Sequence, residues 1–239
     1  MVIHSIVLIL SVLIGSSLVW VINQKKTQWL KILLSFCGGY LLSICMADIM
    51  PVLYENKDVA KHVGWFVIVG FLLQLFLDFL SGGIEHGHFH SSHEDRSGKV
   101  PYTVLIGLLI HAFFEGLPLS NQLGEHTLST LVWGIALHNL PVSIVLLTLL
   151  FERKIPMGTI SIIVVVFALA TPIGMVCSNY LFGSENLSAY QYYALAIVVG
   201  IFLHISTTIL FETDKNHRYN FMKISVIIAG ILLAGLMHL

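Results

Sequence analysis

Residues 100–119 read VPYTVLIGLLIHAFFEGLPL. Apart from His111 and Glu115 this run is uncharged and mainly apolar, and about 20 such residues are the length of one helix across a bilayer. A helix satisfies its own backbone hydrogen bonds in lipid, so the run predicts a transmembrane helix. Burying ionisable groups inside such a helix costs about 2.5–3.5 kcal/mol each, and these groups usually mark function.

Further stretches of similar length and composition lie on both sides of this one, and the alternation typical of barrel strands is absent. We therefore predict an all-α integral membrane protein with eight transmembrane helices, forming a single transmembrane domain over residues 1–239. The predicted spans are Val2–Ile22, Ile32–Leu53, Val63–Ile84, Val100–Leu119, Leu128–Phe151, Ile155–Phe182, Tyr190–Phe211 and Phe221–Leu239.

The composition leads to the same class of protein. The chain has 239 residues, of which 56% are hydrophobic and 10% charged, whereas an average soluble domain carries roughly 25% charged residues. Three cysteines are too few for a disulfide scaffold, and a net charge of −1 gives no sign of nucleic-acid binding. The 12 histidines, which equal the lysines and arginines in number, are the unusual feature.

Lysine and arginine predict the orientation of the spans, because these residues favour cytoplasmic loops. Among the 12 lysines and arginines, only Lys57 and Lys61 lie in even-numbered loops. The odd-numbered loops are therefore expected in the cytoplasm and both termini outside it. The first span has no basic region before it and no cleavage site, so we expect a retained helix in a bacterial inner (plasma) membrane.

His111 and Glu115 are four residues apart, which places both side chains on one face of a helix. At 1.5 Å per residue, His111 lies about 16 Å into its span and His138 about 15 Å into the next, antiparallel one. Equal depths predict that two imidazoles and a carboxylate meet near the midplane, where they could ligate one divalent cation. The structural alternative is a buried polar contact that holds helices together.

Other polar residues in the spans leave two interpretations open. Asp48, near the outer end of the second span, could draw cations into a vestibule or simply reach interfacial water. His204, in the inner half of the seventh, could be an exit ligand or a hydrogen bond between helices. Pro118 and Pro141 are expected to interrupt the fourth and fifth spans, because proline removes a backbone donor.

The loop Glu85–Lys99 between the third and fourth spans is expected to be a His-rich cytoplasmic loop. Such tracts are typical of loose metal binding, and the structural alternative is a hydrophilic loop without function. Its candidate ligands are His86, His88, His90 and His93.

Four short motifs, in order along the chain, resemble those of the ZIP family of zinc and iron transporters. The first pair, Asp48-Ile-Met-Pro51 and His111-Ala-Phe-Phe-Glu115-Gly116, is similar to the ending of the family's second span and to its fourth-span signature His-x-x-x-Glu-Gly. The second pair, His138-Asn139-Leu140-Pro141 and Gly200-Ile-Phe-Leu203, resembles the openings of its fifth-span and seventh-span signatures.

This resemblance implies a single transmembrane transporter domain that carries a divalent metal cation, above all Zn²⁺, between the fourth and fifth spans. It assigns metal ligation to His111, Glu115 and His138, with Asn139 as an additional oxygen donor. Many members have asparagine where this chain has Ala112 and glutamate where it has Val142. The resemblance therefore predicts that a second metal site is absent.

Three functions remain open at this point. The first is a transporter that moves Zn²⁺, or Fe²⁺, Mn²⁺ or Co²⁺, toward the cytoplasm, with no enzyme activity and no prosthetic group. The second is an intramembrane metal-dependent hydrolase, and the third a haem-binding electron carrier with axial histidines. The expected partners are the metal ion and the lipid bilayer, without nucleic acid, and a homodimer is considered as an assembly.

Overall fold

The computed structural model describes residues 1–21, 27–82, 98–119, 124–182, 188–211 and 221–238. Within these ranges all regular secondary structure is helical and no strand occurs, which confirms the all-α prediction. The elements are α1 Val2–Val21, α2 Thr27–Ser43, a π-helical segment Ile44–Ile49, α3 Met50–Glu55, α4 Ala60–Ser81, α5 Tyr102–Gly116, α6 Glu125–Glu152, α7 Met157–Phe182, α8 Ser188–Phe211 and α9 Phe221–His238.

Each of the eight predicted spans coincides with one of these helical stretches, the second being the continuous series α2, π-helical segment and α3. Six stretches are long and apolar enough to cross a membrane. The two others, Tyr102–Gly116 and Phe221–Met237, are shorter apolar helices. The placement of both termini outside the cytoplasm stays a prediction.

The helices pack as two groups of four. In the α1 group, α1 packs against α6 and α7, and α5 packs against α7. In the α2 group, α4 packs against α8, while α2 packs against α9 and α8. The main contacts between the groups run from α4 to α5 and from α2 to α6, so these four helices form the boundary on which the polar residues lie.

Glycines allow two helices of the α1 group to touch along their backbones. A Cβ atom added at Gly116 of α5 would overlap the carbonyl oxygen of Thr171, and one added at Gly174 of α7 would overlap that of Phe113. Small residues permit such close approach between membrane helices, where packing replaces the hydrophobic effect as the attraction. This reciprocal contact fixes α5 against α7 directly beside Glu115.

Gly174→Ala is expected to lower the midpoint of thermal unfolding of the detergent-solubilised protein, because overpacking a tight contact costs about 1–3 kcal/mol. Gly158→Ala is the matched control on the same helix, since a Cβ there meets no atom within 4 Å. Equal midpoints for the two variants would contradict the interlocked contact.

The expectation that Pro141 interrupts its span is wrong. Helix α6 continues through Pro141 from Glu125 to Glu152. Proline cannot donate to the carbonyl four residues earlier, here that of Leu137. The Cys37 thiol of α2 lies 3.3 Å from that oxygen and donates to it, so the neighbouring helix satisfies the freed acceptor. Pro118 lies in a turn beyond Gly116, the last residue of α5, and interrupts no helix.

The π-helical segment puts one extra residue into a turn of the second span. The Met50 N–H donates to the Cys45 carbonyl, five residues earlier, and Pro51 follows at the start of α3. Single π turns of this kind occur often at functional sites and change the direction of the side chains they carry. Asp48 lies in this turn and is buried.

Candidate metal centre

A side chain of the α2 group contacts His111, which lies in the α1 group. Its imidazole lies on α5 and is buried, and its Nδ1 lies 2.8 Å from the Oε1 atom of Gln74 on α4. The other ring nitrogen, Nε2, lies 3.1 Å from Glu115 Oε1, one helical turn away. The spacing of four residues thus places imidazole and carboxylate in direct contact, and both side chains are shielded from solvent.

His138 completes the cluster from α6. Its ring centroid lies 5.7 Å from that of His111, with an angle of 73° between the ring planes. One ligand atom from each of His111, Glu115 and His138 can be chosen so that all three lie within 4.8 Å of one another, and all three residues are buried. Across the described ranges this is the one group of three or more His, Cys, Asp or Glu that could hold a metal ion.

The cluster offers two imidazole nitrogens and a carboxylate group as possible metal ligands. Zn²⁺ binds such atoms at about 2.0–2.2 Å, which places two tetrahedral ligands about 3.4 Å apart. The contact of 3.1 Å between His111 and Glu115 is already close to that separation. The chosen ligand atoms, all within 4.8 Å of one another, are thus at most about 1.4 Å farther apart than two tetrahedral zinc ligands.

The other predicted site residues lie around this cluster or outside the described ranges. Asn139 follows His138 on α6 and is buried. Asp48 and His204 are also buried but do not belong to the group of three, and the His204 ring instead packs edge-to-face on Phe71 at 4.9 Å. The loop histidines His86, His88, His90 and His93 lie outside the described residues.

Two residues depart from the motifs of the resembled family, and both lie on the helices that carry the cluster. Ala112 and Val142 are each 1% exposed, so both lie in the packed interior next to the cluster helices. Neither side chain can donate to a metal. The absence of a second ion site stays a prediction, and it rests on the lack of a ligand atom at Ala112 and at Val142.

Gln74 is the residue that the sequence analysis missed. It interrupts an apolar run, Phe71-Leu-Leu-Gln-Leu-Phe, and its side chain is fully buried. A neutral amide within a transmembrane span has few reasons to be there other than a polar partner. That signal is present in the sequence, but glutamine is not ionisable and so does not stand out among the charged and titratable residues of the spans.

The comparisons with known proteins agree with the motifs. The zinc transporter ZIP9 of Xenopus tropicalis and the zinc transporter ZIP9-A of Xenopus laevis are each 24% identical over 166 residues, covering 64% of this chain and 53% of the relative. The chain thus spans about half the length of these curated relatives. The family described as "ZIP Zinc transporter" matches residues 86–238, well over half of the chain. On that match the chain belongs to the ZIP family.

Proposed function

We propose that this protein is a membrane permease for a divalent metal cation, with Zn²⁺ as the transported ion and His111, Glu115 and His138 as its ligands. The observation that carries the proposal is the buried cluster whose ligand atoms lie within 4.8 Å of one another. Buried ionisable groups in membrane helices are costly and mark ion pathways. Membership of a zinc transporter family supports the same conclusion.

The donor set favours Zn²⁺ without enforcing it. Imidazole and carboxylate suit Zn²⁺, while Fe²⁺, Mn²⁺ and Co²⁺ accept the same atoms in other geometries. The single carboxylate, Glu115, leaves one positive charge of a bound divalent ion uncompensated within the cluster. That residual charge limits how tightly the ion is held in an apolar interior, which suits a permease because the ion must also leave. Asn139 is proposed as a further, neutral oxygen donor.

The proposed path runs toward the cytoplasm. Asp48, placed in the π-helical turn of the second span, would attract the hydrated ion before it reaches the cluster. His204, buried on α8, and the loop histidines would receive the ion beyond it. The direction rests on the excess of lysine and arginine in odd-numbered loops. The bacterial inner membrane stays a prediction from the sequence, since the relatives named above are from Xenopus.

The two other functions have less support. A hydrolase would need a base beside a metal-bound water, yet the cluster of described residues contains Glu115 as its single carboxylate. The matched family, moreover, is one of transporters and not of enzymes. A haem plane needs open space around both ligating nitrogens, whereas Glu115 Oε1 lies 3.1 Å from Nε2 of His111.

The test is ion uptake into proteoliposomes that contain a trapped zinc indicator. We expect saturable Zn²⁺ entry that protein-free liposomes lack, and competition by Fe²⁺, Mn²⁺ or Co²⁺ with an order that defines the selectivity. Entry should need no organic substrate and yield no hydrolysis product. Absence of flux for all four ions would contradict the permease.

A further inference from the structure

We propose that Gln74 positions His111 for metal binding by accepting the hydrogen of Nδ1, which leaves Nε2 as the metal-binding nitrogen. This inference rests on the proposed metal site and assigns a role to a residue that is not itself a ligand. Its basis is the distance of 2.8 Å between His111 Nδ1 and Gln74 Oε1. Both side chains are buried, so bulk water does not compete for this hydrogen bond.

The hydrogen bond determines which ring nitrogen carries the hydrogen and which carries the lone pair. A neutral imidazole carries one N–H, and the hydrogen bond made by one nitrogen decides the state of the other. With the hydrogen on Nδ1, Nε2 presents a lone pair toward Glu115 Oε1 at 3.1 Å. Two electron-rich atoms at that separation are stabilised by a cation between them. With the hydrogen on Nε2 instead, His111 would donate to Glu115, and the two ligands would satisfy each other.

The packing of α4 against α5 holds the amide in place. A Cβ atom added at Gly107 of α5 would lie 3.3 Å from the Leu77 carbonyl oxygen and 3.5 Å from the Ser81 Cβ, so the two helices approach closely just beside the hydrogen bond. Gln74 is one turn from Leu77, and His111 is one turn from Gly107. The acceptor is thus fixed by helices and not by a loop, which is the arrangement that orients ligands most accurately.

The role parallels that of partners seen around metal-bound histidines. Such histidines nearly always donate their second N–H to a carboxylate, carbonyl or water, and losing that acceptor lowers metal affinity about 10- to 100-fold. Gln74 supplies an uncharged carbonyl oxygen for this purpose. A neutral acceptor orients the ring without adding a negative charge that would hold the ion more tightly.

The experiment measures equilibrium Zn²⁺ binding to the purified full chain and Zn²⁺ uptake in proteoliposomes. Gln74→Leu should raise both Kd and KM about 10- to 100-fold, while the maximal rate stays within about twofold. Gln74→Glu, which restores an acceptor, should bind at least as tightly as wild type. Gln191→Leu is the matched control, because it removes another buried glutamine, on α8 and outside the cluster.

A spectroscopic signature separates positioning from general destabilisation. With ¹⁵N-labelled histidine, the wild type in the presence of Zn²⁺ should show the His111 ring with its hydrogen on Nδ1 and Nε2 bound to the metal, assigned by its loss in His111→Gln. In Gln74→Leu at the same Zn²⁺ concentration the ring should change to the Nε2–H form, and Gln191→Leu should leave it unchanged. Gln74→Met replaces Gln74→Leu if the latter does not fold, since its unbranched side chain has a similar length and no strong acceptor.

The outcomes separate this proposal from the one it rests on. If wild type binds no Zn²⁺, the metal site itself is wrong. If wild type binds Zn²⁺ and Gln74→Leu binds it equally with an unchanged His111 ring, the role of Gln74 is wrong. A variant that loses maximal rate or folded yield at unchanged Kd would show a purely structural glutamine and would also overturn the inference.

Discussion

Glu115→Gln is expected to reduce zinc uptake at low Zn²⁺ concentration by at least about 100-fold. Glu115 is the single carboxylate residue of the cluster of described residues, and its Oε1 atom lies 3.1 Å from Nε2 of His111. In the ion-bound state the carboxylate and the cation form a buried charge pair; removing one partner of such a pair costs about 3–5 kcal/mol, and each 1.4 kcal/mol corresponds to about tenfold in affinity. Glutamine has nearly the same shape, so the loss should appear in ion binding and not in folding.

The measurement is initial uptake into proteoliposomes at matched protein content, together with the thermal unfolding midpoint in detergent. Glu152→Gln makes the same chemical change at an exposed position on α6 and should transport like wild type. A Glu115→Gln protein that is folded and carries Zn²⁺ at the wild-type rate would remove Glu115 from the ion's path.

His138→Leu is expected to have an effect of similar size on Zn²⁺ affinity, because it removes one of the two nitrogen donors. Removing a residue that only hydrogen-bonds a metal ligand lowers metal affinity about 10- to 100-fold. Removing the ligand itself should lower the affinity by more than this. His126→Leu is the matched control on the same helix, where His126 is exposed and lies near the Met237 carbonyl.

The double variant Glu115→Gln/His138→Leu tests whether the cluster acts as one unit. Residues in contact around a shared ion do not contribute additively, so the double variant should lose little more affinity than either single change. Fully additive losses, measured by zinc titration of the purified proteins, would mean that the two residues act at separate places along the path.

Much of the fold follows from the sequence because the bilayer imposes it. A run of about 20 apolar residues has one stable conformation in lipid. That single rule located every helical stretch of the described residues to within a few residues, and six of these stretches are long and apolar enough to cross a membrane. Which helices pack against one another could not be predicted from the sequence in this way. In a soluble protein an apolar stripe shows which face of a helix is buried. Here lipid-facing and protein-facing surfaces are equally apolar, so the pattern that would separate the two helix groups is missing.

The centre of the candidate site was predictable for two different reasons. His111 and Glu115 share a helix, so their contact depends only on the helical repeat. The approach of His138 was predicted from equal depth in consecutive antiparallel helices, which is a weaker argument that the ring separation of 5.7 Å now supports. Gln74 and Cys37 act across helix boundaries, and no spacing rule along the chain connects them to His111 or Leu137.

The reciprocal glycine contact between α5 and α7 limits how this protein can move. Packed helices shift between discrete registers and do not slide continuously. A displacement of α5 by one turn along α7 would press the Phe113 carbonyl against the Cβ of Ala170 or Ser178 instead of the bare backbone of Gly174. A rearrangement that opens the cluster alternately to the two sides is therefore expected to keep the contact between α5 and α7 and to move the two helices together. Helix α7 contributes none of the three clustered ligands, yet it would then move together with the helix that carries His111 and Glu115.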